Sequence, residues 1–172
     1  MPRGSGAIAD VDKIKISLRW VPRPGLRFAA FDGMVSVLVV DDDVDSREAV
    51  ARFLRKAGHR VRCVSDGRDA LAALSDDTPD VVILDAKMPQ MDGVTFLEVI
   101  RCYLRWLHLP VLLLTGYSEG LHIRRAMELG VRKTFLKADF SLDELRAHVE
   151  ACVIPTTAEG HDGMPPSRGT YN

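Results

Sequence analysis

Short runs of β-branched and other apolar residues alternate with segments of helical periodicity five times between Val35 and Cys152. The runs lack the strict apolar and polar alternation of a half-exposed sheet, which indicates strands that are buried on both faces. Strands that alternate with helices along the chain predict a parallel sheet with helices packed on both sides. The predicted fold class is therefore α/β, a doubly wound sheet of five parallel strands.

Turn and cap residues set the predicted boundaries of these elements. Gly58 and Gly130 are predicted to end the first and fourth helices, and Pro79 and Pro110 to introduce the third and fourth strands. The predicted strands are residues 35–40, 60–65, 80–85, 111–114 and 133–136, and the predicted helices are residues 46–57, 68–75, 94–104, 119–129 and 141–152.

The alternation predicts one domain, residues 35–154, between two flanking segments. Residues 1–34 form a predicted N-terminal extension, for which two explanations stay open: a mis-annotated start with Met34 as the true first residue, or a disordered segment. Residues 155–172 are rich in Pro, Gly, Thr and Ser and are predicted to be a disordered tail.

The charge balance argues against bulk nucleic-acid binding. The chain has 23 Lys and Arg against 24 Asp and Glu, and its predicted domain is mildly acidic. No apolar run approaches the roughly 18 residues of a membrane span, and the N-terminus lacks the apolar stretch of a secretory signal. We therefore predict a cytoplasmic protein that contacts neither DNA nor a membrane.

The cysteines and histidines show no spacing typical of a metal site or a disulfide framework. The cysteines are predicted to be buried free thiols in a reducing compartment, and they are Cys63, Cys102 and Cys152. The histidines are predicted to be surface residues, and they are His59, His108, His122, His148 and His161. The aromatic residues Phe53, Phe96 and Trp106 lie on apolar stripes and are predicted to be core.

Carboxylates follow two of the predicted strands. The first strand is followed by Asp41, Asp42 and Asp43, and the third ends in Asp85. The carboxyl ends of parallel strands meet at one edge of a sheet, and ligands bind there where the strand order reverses. Two unit charges 4 Å apart repel by about 4 kcal/mol at an effective dielectric of 20, so the cluster requires a cation or a proton.

Four motifs in order resemble the receiver domain of bacterial two-component response regulators. They are Asp-Asp after the first strand, Asp-x-x-Met-Pro-x-Met-Asp-Gly from the end of the third, Thr-Gly from the fourth and Lys after the fifth, at residues 41–42, 85–93, 115–116 and 137. The resemblance covers about residues 35–153 and implies the flavodoxin-like receiver fold. It also implies that Asp85 accepts a phosphoryl group from a sensor histidine kinase or a histidine phosphotransfer protein.

The resemblance implies a Mg²⁺ site around the phosphoacceptor. Asp42 and Asp85 would bind the ion directly, Asp41 through a water molecule, and Lys87 through its backbone carbonyl. A carboxylate is a competent nucleophile for phosphoryl transfer when the charge on the phosphoryl oxygens is neutralised. Mg²⁺ supplies that neutralisation while needing only a few carboxylate ligands.

Two further side chains are implied to act on the phosphoryl group. Lys137 would pair first with Asp85 and then with a phosphoryl oxygen, and Thr115 would donate its hydroxyl. Taken singly, Lys137 is also consistent with a surface lysine and Thr115 with an ordinary hydroxyl at a strand end. In the same way Asp43 is predicted to cap the first helix, and Asp92 the third.

The chain departs from the family pattern beside Lys137. The family has an aromatic residue three positions before this lysine, where the chain has Thr134, and Phe135 is expected on the opposite face of the strand. Ala138 replaces the proline that normally follows the lysine, and one residue is added. Since a cis peptide bond without proline costs about 2.5 to 4 kcal/mol, we expect a trans bond here.

Three functions are compatible with these residues. The first is a single-domain response regulator, a phosphoacceptor rather than an enzyme, which assists its own phosphorylation and dephosphorylation and signals by phosphorylation-dependent binding to an unknown protein. The second is a receiver-like interaction module that works without phosphorylation, as Thr134 and Ala138 suggest. The third is a Mg²⁺-dependent aspartyl-phosphate hydrolase with residues 41–43 as its Asp-x-Asp motif.

Overall fold

The computed structural model describes residues 33–116 and 120–153, with side chains omitted at positions 120 and 121. Within these ranges five strands and five helices alternate in chain order. The strands are β1 (Ser36–Val40), β2 (Arg60–Val64), β3 (Val81–Asp85), β4 (Val111–Thr115) and β5 (Lys133–Leu136). The helices are α1 (Val44–Lys56), α2 (Gly67–Asp76), α3 (Gly93–Arg101), α4 (Gly120–Glu128) and α5 (Leu142–Ala151). The α/β prediction is confirmed.

All neighbouring strands of the sheet are parallel, in the order β2-β1-β3-β4-β5. Val39 of β1 lies opposite Cys63 of β2 on one side and Ile83 of β3 on the other. The chain steps outward from β1 to β2 and then returns past β1 to β3. The strand order therefore reverses between β1 and β3, the position where such sheets bind ligands at their carboxyl edge.

Apolar residues form one core layer on each face of the sheet. In β1, Leu38 and Val40 belong to the layer under α2, α3 and α4, while Val37 and Val39 belong to the layer under α1 and α5. This division follows from the two-residue period of a strand. The predicted core positions are confirmed: Phe96 and Trp106 are buried, and Phe53 packs at the edge of the second layer.

Acidic and hydroxyl side chains cap four of the helices, among them α2, where the Asp66 carboxylate accepts hydrogen bonds from the Arg68 and Asp69 backbone N–H groups. The Asp43 carboxylate accepts a hydrogen bond from the Ser46 backbone N–H at 2.9 Å, and the Asp92 carboxylate accepts one from the Thr95 N–H at 2.7 Å. Ser141 caps α5 in the same way. The predicted capping roles of Asp43 and Asp92 are confirmed, and α1 begins two residues earlier than predicted.

The end of α3 was predicted three residues too late. The helix ends at Arg101, and the following residues form successive turns in which the Tyr103 N–H binds the Ile100 carbonyl and the Trp106 N–H binds the Tyr103 carbonyl. Apolar residues recur through these turns at three- and four-residue spacing. Periodicity alone therefore did not distinguish the turns from a continuing helix.

The prediction that His59 lies on the surface is wrong. Its ring is buried, Nδ1 accepts a hydrogen bond from the Val35 N–H at 3.3 Å, and Nε2 lies 3.4 Å from Glu150 Oε1 of α5. The turn after α1 places this side chain against α5. A single histidine in a sequence gives no sign of such a tertiary contact. His59 thereby joins the start of β1 to α5.

The cysteine prediction is correct in part. The three cysteines are free, and burial raises the pKa of the thiols of Cys63 and Cys152, which are both half-buried. Cys102 is exposed, contrary to the prediction, because it follows the last turn of α3 on the protein surface.

The predictions for residues 1–32 and 154–172, and the predicted start of the fourth helix at Glu119, lie outside the described residues. In the part of the chain that is described, none of the helices is both long enough and apolar enough to cross a membrane.

The substitution His59→Leu should lower the free energy of unfolding by about 1–3 kcal/mol, because it leaves the buried Val35 N–H without its acceptor. The matched change His108→Leu, at an exposed histidine, should shift stability by less than about 0.5 kcal/mol. Urea unfolding of both variants measures the difference. Equal stability of the two would contradict the structural role given to His59.

Candidate functional site

The predicted carboxylates meet at the carboxyl edge of the sheet, on either side of the reversal in strand order. Asp41 follows β1 and Asp85 ends β3, and both are buried, whereas Asp42 is exposed. One carboxylate oxygen from each of the three lies within 4.8 Å of the others. Parallel pairing of β1 with β3 produces this cluster, because it brings the two strand ends side by side.

One ammonium group bridges the two buried carboxylates. Lys137 Nζ lies 2.7 Å from Asp85 Oδ2 and 2.8 Å from Asp41 Oδ2. The backbone supports this position, since the Lys137 N–H donates to the Thr115 carbonyl at 2.8 Å and extends the pairing of β4 with β5. The ion pairs form although Ala138 stands where the family has proline. The described residues contain no cis peptide bond, as predicted.

Asp41 is held by more hydrogen bonds than the sequence indicated. Its Oδ1 accepts from the Asp43 N–H at 2.9 Å, and its Oδ2 accepts from the Ser46 hydroxyl at 2.8 Å as well as from Lys137. The Arg47 guanidinium donates to the Asp41 carbonyl at 2.6 Å. Ser46 and Arg47 were not predicted; their only signal was their place in the first turn of a helix that Asp43 caps.

Within the part of the chain that the structure describes, Asp85 accepts fewer hydrogen bonds. Its Oδ1 receives one from the Lys87 N–H at 3.2 Å, and its Oδ2 receives one from Lys137. Burial raises the pKa of Asp85 above its usual 3.8, against the lowering effect of the hydrogen bond and charge of Lys137. The charged form of this carboxylate is therefore less favourable in the folded protein than in the unfolded chain.

The pKa of Lys137 reflects the same group of charges. Desolvation is the largest influence and lowers this pKa, but the hydrogen bonds to Asp41 and Asp85 and their charges outweigh it together. The pKa of Lys137 consequently lies above its usual 10.5. Lys137 is thus protonated at neutral pH and supplies the one cation that this pair of buried carboxylates contacts directly within the described residues.

The remaining predicted site residues lie at the same edge. Thr115 is buried at the end of β4, directly opposite Leu136 of β5. Lys87 is exposed in the loop after β3, where its N–H binds Asp85. The roles predicted for the Thr115 hydroxyl and for the Lys87 carbonyl stay predictions.

Gly93 allows this loop to close against the end of β3. A Cβ atom at this position would collide with the backbone carbonyl oxygen of Asp85 and would lie 3.0 Å from the Cα of Ala86. The Gly93 N–H donates to the Ala86 carbonyl at 3.1 Å, which brings the start of α3 back to the strand. Residues 85–93 thus form a compact loop that only glycine at its last position permits.

The two residues before Leu136 divide as predicted between the faces of β5. Phe135 is buried in the layer under α1 and α5, with its ring centroid 6.2 Å from that of Phe140 and 5.3 Å from that of His148. The Thr134 hydroxyl is buried and has no hydrogen-bond partner among the described residues. Phe135 therefore does not take the place of the aromatic residue that the family has at position 134.

The acidic cluster has the chemistry of a site for a hard divalent cation. The donors are carboxylate oxygens from Asp41, Asp42 and Asp85, close enough together to share one ion. Mg²⁺ is bound by oxygen ligands at about 2.0–2.1 Å and usually keeps several waters, so three carboxylates are sufficient. Their mutual repulsion, which Lys137 relieves only in part, favours an added positive charge.

The sequence and the fold of this chain are similar to those of known proteins. The family model for the response regulator receiver domain matches residues 37–150. The chain is 38% identical over 129 residues to response regulator MprA of Mycolicibacterium vanbaalenii, covering 75% of this chain and 54% of that protein. It is 36% identical over 116 residues to transcriptional regulatory protein GltR of Pseudomonas aeruginosa, covering 67% and 48%. The chain thus spans about half the length of these curated relatives.

Solved structures show the same similarity. Chemotaxis response regulator CheY4 of Vibrio cholerae superposes with a TM-score of 0.64 at 30% identity, over 70% of this chain and 99% of that one. The receiver domain of Francisella response regulator 1452 superposes with a TM-score of 0.63 at 26% identity, over 69% and 95%.

The substitution Asp85→Asn should stabilise the protein at pH 7 by about 1 kcal/mol. It removes a buried negative charge that shares the Lys137 ammonium with Asp41, and Lys137 keeps its ion pair with Asp41. The pKa of Asp85 is raised on folding, so the charged form is disfavoured above that pKa. The advantage of the variant should therefore shrink as the pH falls and wild-type Asp85 takes up its proton. Urea unfolding between pH 7 and pH 4 tests this.

The exposed carboxylate of Asp139 provides the control for that experiment. Asp139→Asn should leave the free energy of unfolding within about 0.5 kcal/mol of wild type at pH 7. An Asp85→Asn variant that is less stable than wild type at pH 7 would contradict the direction of the pKa shift.

Proposed function

We propose, from the fact that this chain belongs to the response regulator receiver domain family, that it accepts a phosphoryl group on Asp85. The resemblance and the fold that the sequence predicted are confirmed by this membership and by the five-stranded parallel sheet. Receiver domains are signalling domains of two-component systems and are generally not enzymes. The proposal concerns the chemistry by which this chain receives its signal.

The observation that carries the proposal is the unequal engagement of two buried carboxylates that share the Lys137 ammonium. Both oxygens of Asp41 are occupied, by the Asp43 N–H on one side and by Ser46 and Lys137 on the other. Among the described residues, Asp85 Oδ1 accepts a single hydrogen bond, from a backbone N–H at 3.2 Å. Since a nucleophile needs an available lone pair, Asp85 is the better acceptor and Asp41 the better support.

The same residues would hold a metal ion. Asp42 and Asp85 are the proposed direct Mg²⁺ ligands, with Asp41 acting through water and the Lys87 backbone carbonyl as a further donor. Bound Mg²⁺ supplies neutralisation of the charge on the phosphoryl oxygens. The spacing of the three carboxylates supports this assignment.

Lys137 and Thr115 are proposed to stabilise the phosphoryl group. Lys137 already contacts Asp85, and a phosphoryl group on that carboxylate would place new anionic oxygens within reach of the same ammonium. Lysine suits this exchange because its ammonium is a compact charge on a flexible stem. Thr115 ends the neighbouring strand and would donate its hydroxyl to another phosphoryl oxygen.

The proposed phosphoryl donor is a sensor histidine kinase or a histidine phosphotransfer protein. The proposed output is phosphorylation-dependent binding to another protein in the cytoplasm, without direct DNA contact. The exposed apolar side chain of Leu136, next to Lys137, supports a protein target. Three free cysteines in the described ranges support a reducing compartment.

A phosphorylation-independent interaction module is the second candidate. The Thr134 hydroxyl, which has no partner within the described ranges, and the burial of Phe135 on the other face favour it, because the chain lacks the aromatic switch residue. In this case the acidic site would persist without controlling the binding of a target.

Incubation with acetyl phosphate and Mg²⁺ should add about 80 Da to the intact protein, the mass of one phosphoryl group. The adduct should map to Asp85 and be absent in Asp85→Asn, whereas Asp92→Asn should retain it, because asparagine also caps α3. Removal of Mg²⁺ with a chelator should abolish it. An unmodified wild-type protein would favour the interaction module, and an adduct in Asp85→Asn would overturn the assignment of the acceptor.

A further inference from the structure

The segment between α3 and β4 presents apolar side chains to solvent. Leu104 is 89% exposed, Tyr103 52% and Leu107 37%, and we call residues 102–109 the α3–β4 ledge. Isolated exposed apolar residues are ordinary in soluble proteins, but three within five positions form a patch. The ledge precedes β4 and therefore lies at the opposite edge of the sheet from Asp85.

The ledge is fixed to the domain by Arg101. Its Nε donates to the Leu129 carbonyl and its Nη1 to the Trp106 carbonyl, both at 2.8 Å. Burial lowers the pKa of Arg101 to about 10, with a smaller contribution from the charge of Arg132. A partly buried guanidinium thus joins the middle of the ledge to the residue that follows α4.

Arg105 and Trp106 fix the other side of the ledge. Arg105 Nη2 donates to the Leu74 carbonyl of α2 at 3.1 Å, and its Cζ lies 4.5 Å from the centroid of the Trp106 ring. Trp106 is buried, and its Nε1 donates to the Thr78 hydroxyl at 3.4 Å. The Tyr103 ring packs edge-on against Trp106, with 5.1 Å between centroids.

These contacts hold the backbone of the ledge and the Tyr103 ring in place before any partner arrives. Surface connections usually have few such anchors and move more than the elements they join. An apolar patch on a rigid support loses little conformational entropy on binding, and the ledge's Tyr103 and Arg105 are of residue types that are enriched among the residues that dominate binding energy at interfaces. The ledge has the properties of an interaction surface.

The charges around the ledge indicate the chemistry of its partner. The neighbouring carboxylates are already paired, Asp76 with Arg62, Asp77 with Arg60, and Glu98 with Arg125. By contrast, no carboxylate within the described ranges pairs with Arg105 or with exposed His108. The ledge itself contains no acidic residue. It therefore offers apolar side chains beside an uncompensated positive charge.

We propose that the α3–β4 ledge binds a protein segment that carries apolar side chains next to carboxylates. A second copy of this chain is a poorer match, because the ledge contains no carboxylate that could pair with the Arg105 guanidinium of the other copy in a symmetric contact. An anionic membrane is also a poorer match. Trp106 is buried and unavailable for insertion, and the ledge contains a single arginine, whereas attraction to anionic lipid needs a cluster of basic residues.

Binding at the ledge is independent of the proposed phosphoryl transfer. The ledge lies before the start of β4 and Thr115 at its end, and the strand spans about 13 Å from Val111 to Thr115 at 3.3 Å per residue. A protein held at the ledge would leave the carboxyl edge of the sheet open. The ledge would therefore position the receiver on a partner while Asp85 exchanges its phosphoryl group.

Selection from a displayed library of random peptides tests the proposal, with the full-length chain as the target and peptides of about 16 residues, or four helical turns. The selected peptides should carry Asp or Glu beside Leu, Phe or Trp. Fluorescence anisotropy of a synthesised peptide should show binding to wild type and to Asp85→Asn. Affinity should fall about tenfold or more in Leu104→Ser and Leu107→Ser, since both remove contact area.

Val44→Ser is the matched control, because it removes an exposed apolar side chain at the start of α1, at the opposite edge of the sheet from the ledge, and should leave the affinity unchanged. Leu104→Ser should also keep the wild-type unfolding midpoint, since this side chain is nine-tenths exposed. Selected peptides that lack carboxylates, or that bind Leu104→Ser as tightly as wild type, would overturn the proposal. Self-association or binding to phosphatidylglycerol vesicles that Leu104→Ser abolishes would assign the ledge to a second copy or to a membrane.

Discussion

The contact of one lysine ammonium with two buried carboxylates determines the charge balance of the site in this protein. Lys137 Nζ lies within 2.8 Å of both Asp41 and Asp85, at the edge where β1 and β3 end side by side. Without a cation, two carboxylates at such separations would oppose folding through repulsion and desolvation. Lys137 relieves this cost only in part, as the raised pKa of Asp85 shows. The folded state therefore holds an acidic cluster that favours further positive charge, and this property suits phosphoryl transfer.

The sheet topology and the local contacts together create the difference between the two carboxylates. Reversal of the strand order between β1 and β3 brings Asp41 and Asp85 together. Capping of α1 by Asp43 then directs backbone and hydroxyl donors of the first helical turn toward Asp41, while Asp85 keeps one oxygen with a single long hydrogen bond. Gly93 closes the loop after Asp85, because any side chain there would collide with the strand. Within the described residues the two carboxylates thus differ in how many donors hold them, although both belong to the same residue type.

The sequence predicted the features that follow from periodicity and chain order. The five strands, the meeting of Asp41, Asp42 and Asp85, and the caps Asp43 and Asp92 are all present, because strand ends in a parallel sheet share an edge and caps act locally. Features that depend on tertiary contacts were missed. The burial of His59 requires α5 to pack over a turn, and the exposure of Leu104 results from turns that continue a helical period without a helix. The domain boundaries and the roles of the site residues stay predictions, because folding geometry alone does not establish them.

The affinity of the protein for Mg²⁺ with and without Lys137 tests most directly whether negative charge left unneutralised on Asp41 and Asp85 favours the binding of a cation. The ammonium and the ion compete for the carboxylates of Asp41 and Asp85, so Lys137→Met should bind Mg²⁺ about tenfold more tightly than wild type, a change of about 1.4 kcal/mol. Isothermal titration calorimetry at neutral pH measures both dissociation constants, and Lys133→Met, at an exposed lysine of β5, should match wild type. An affinity of Lys137→Met equal to or weaker than that of wild type would contradict the account.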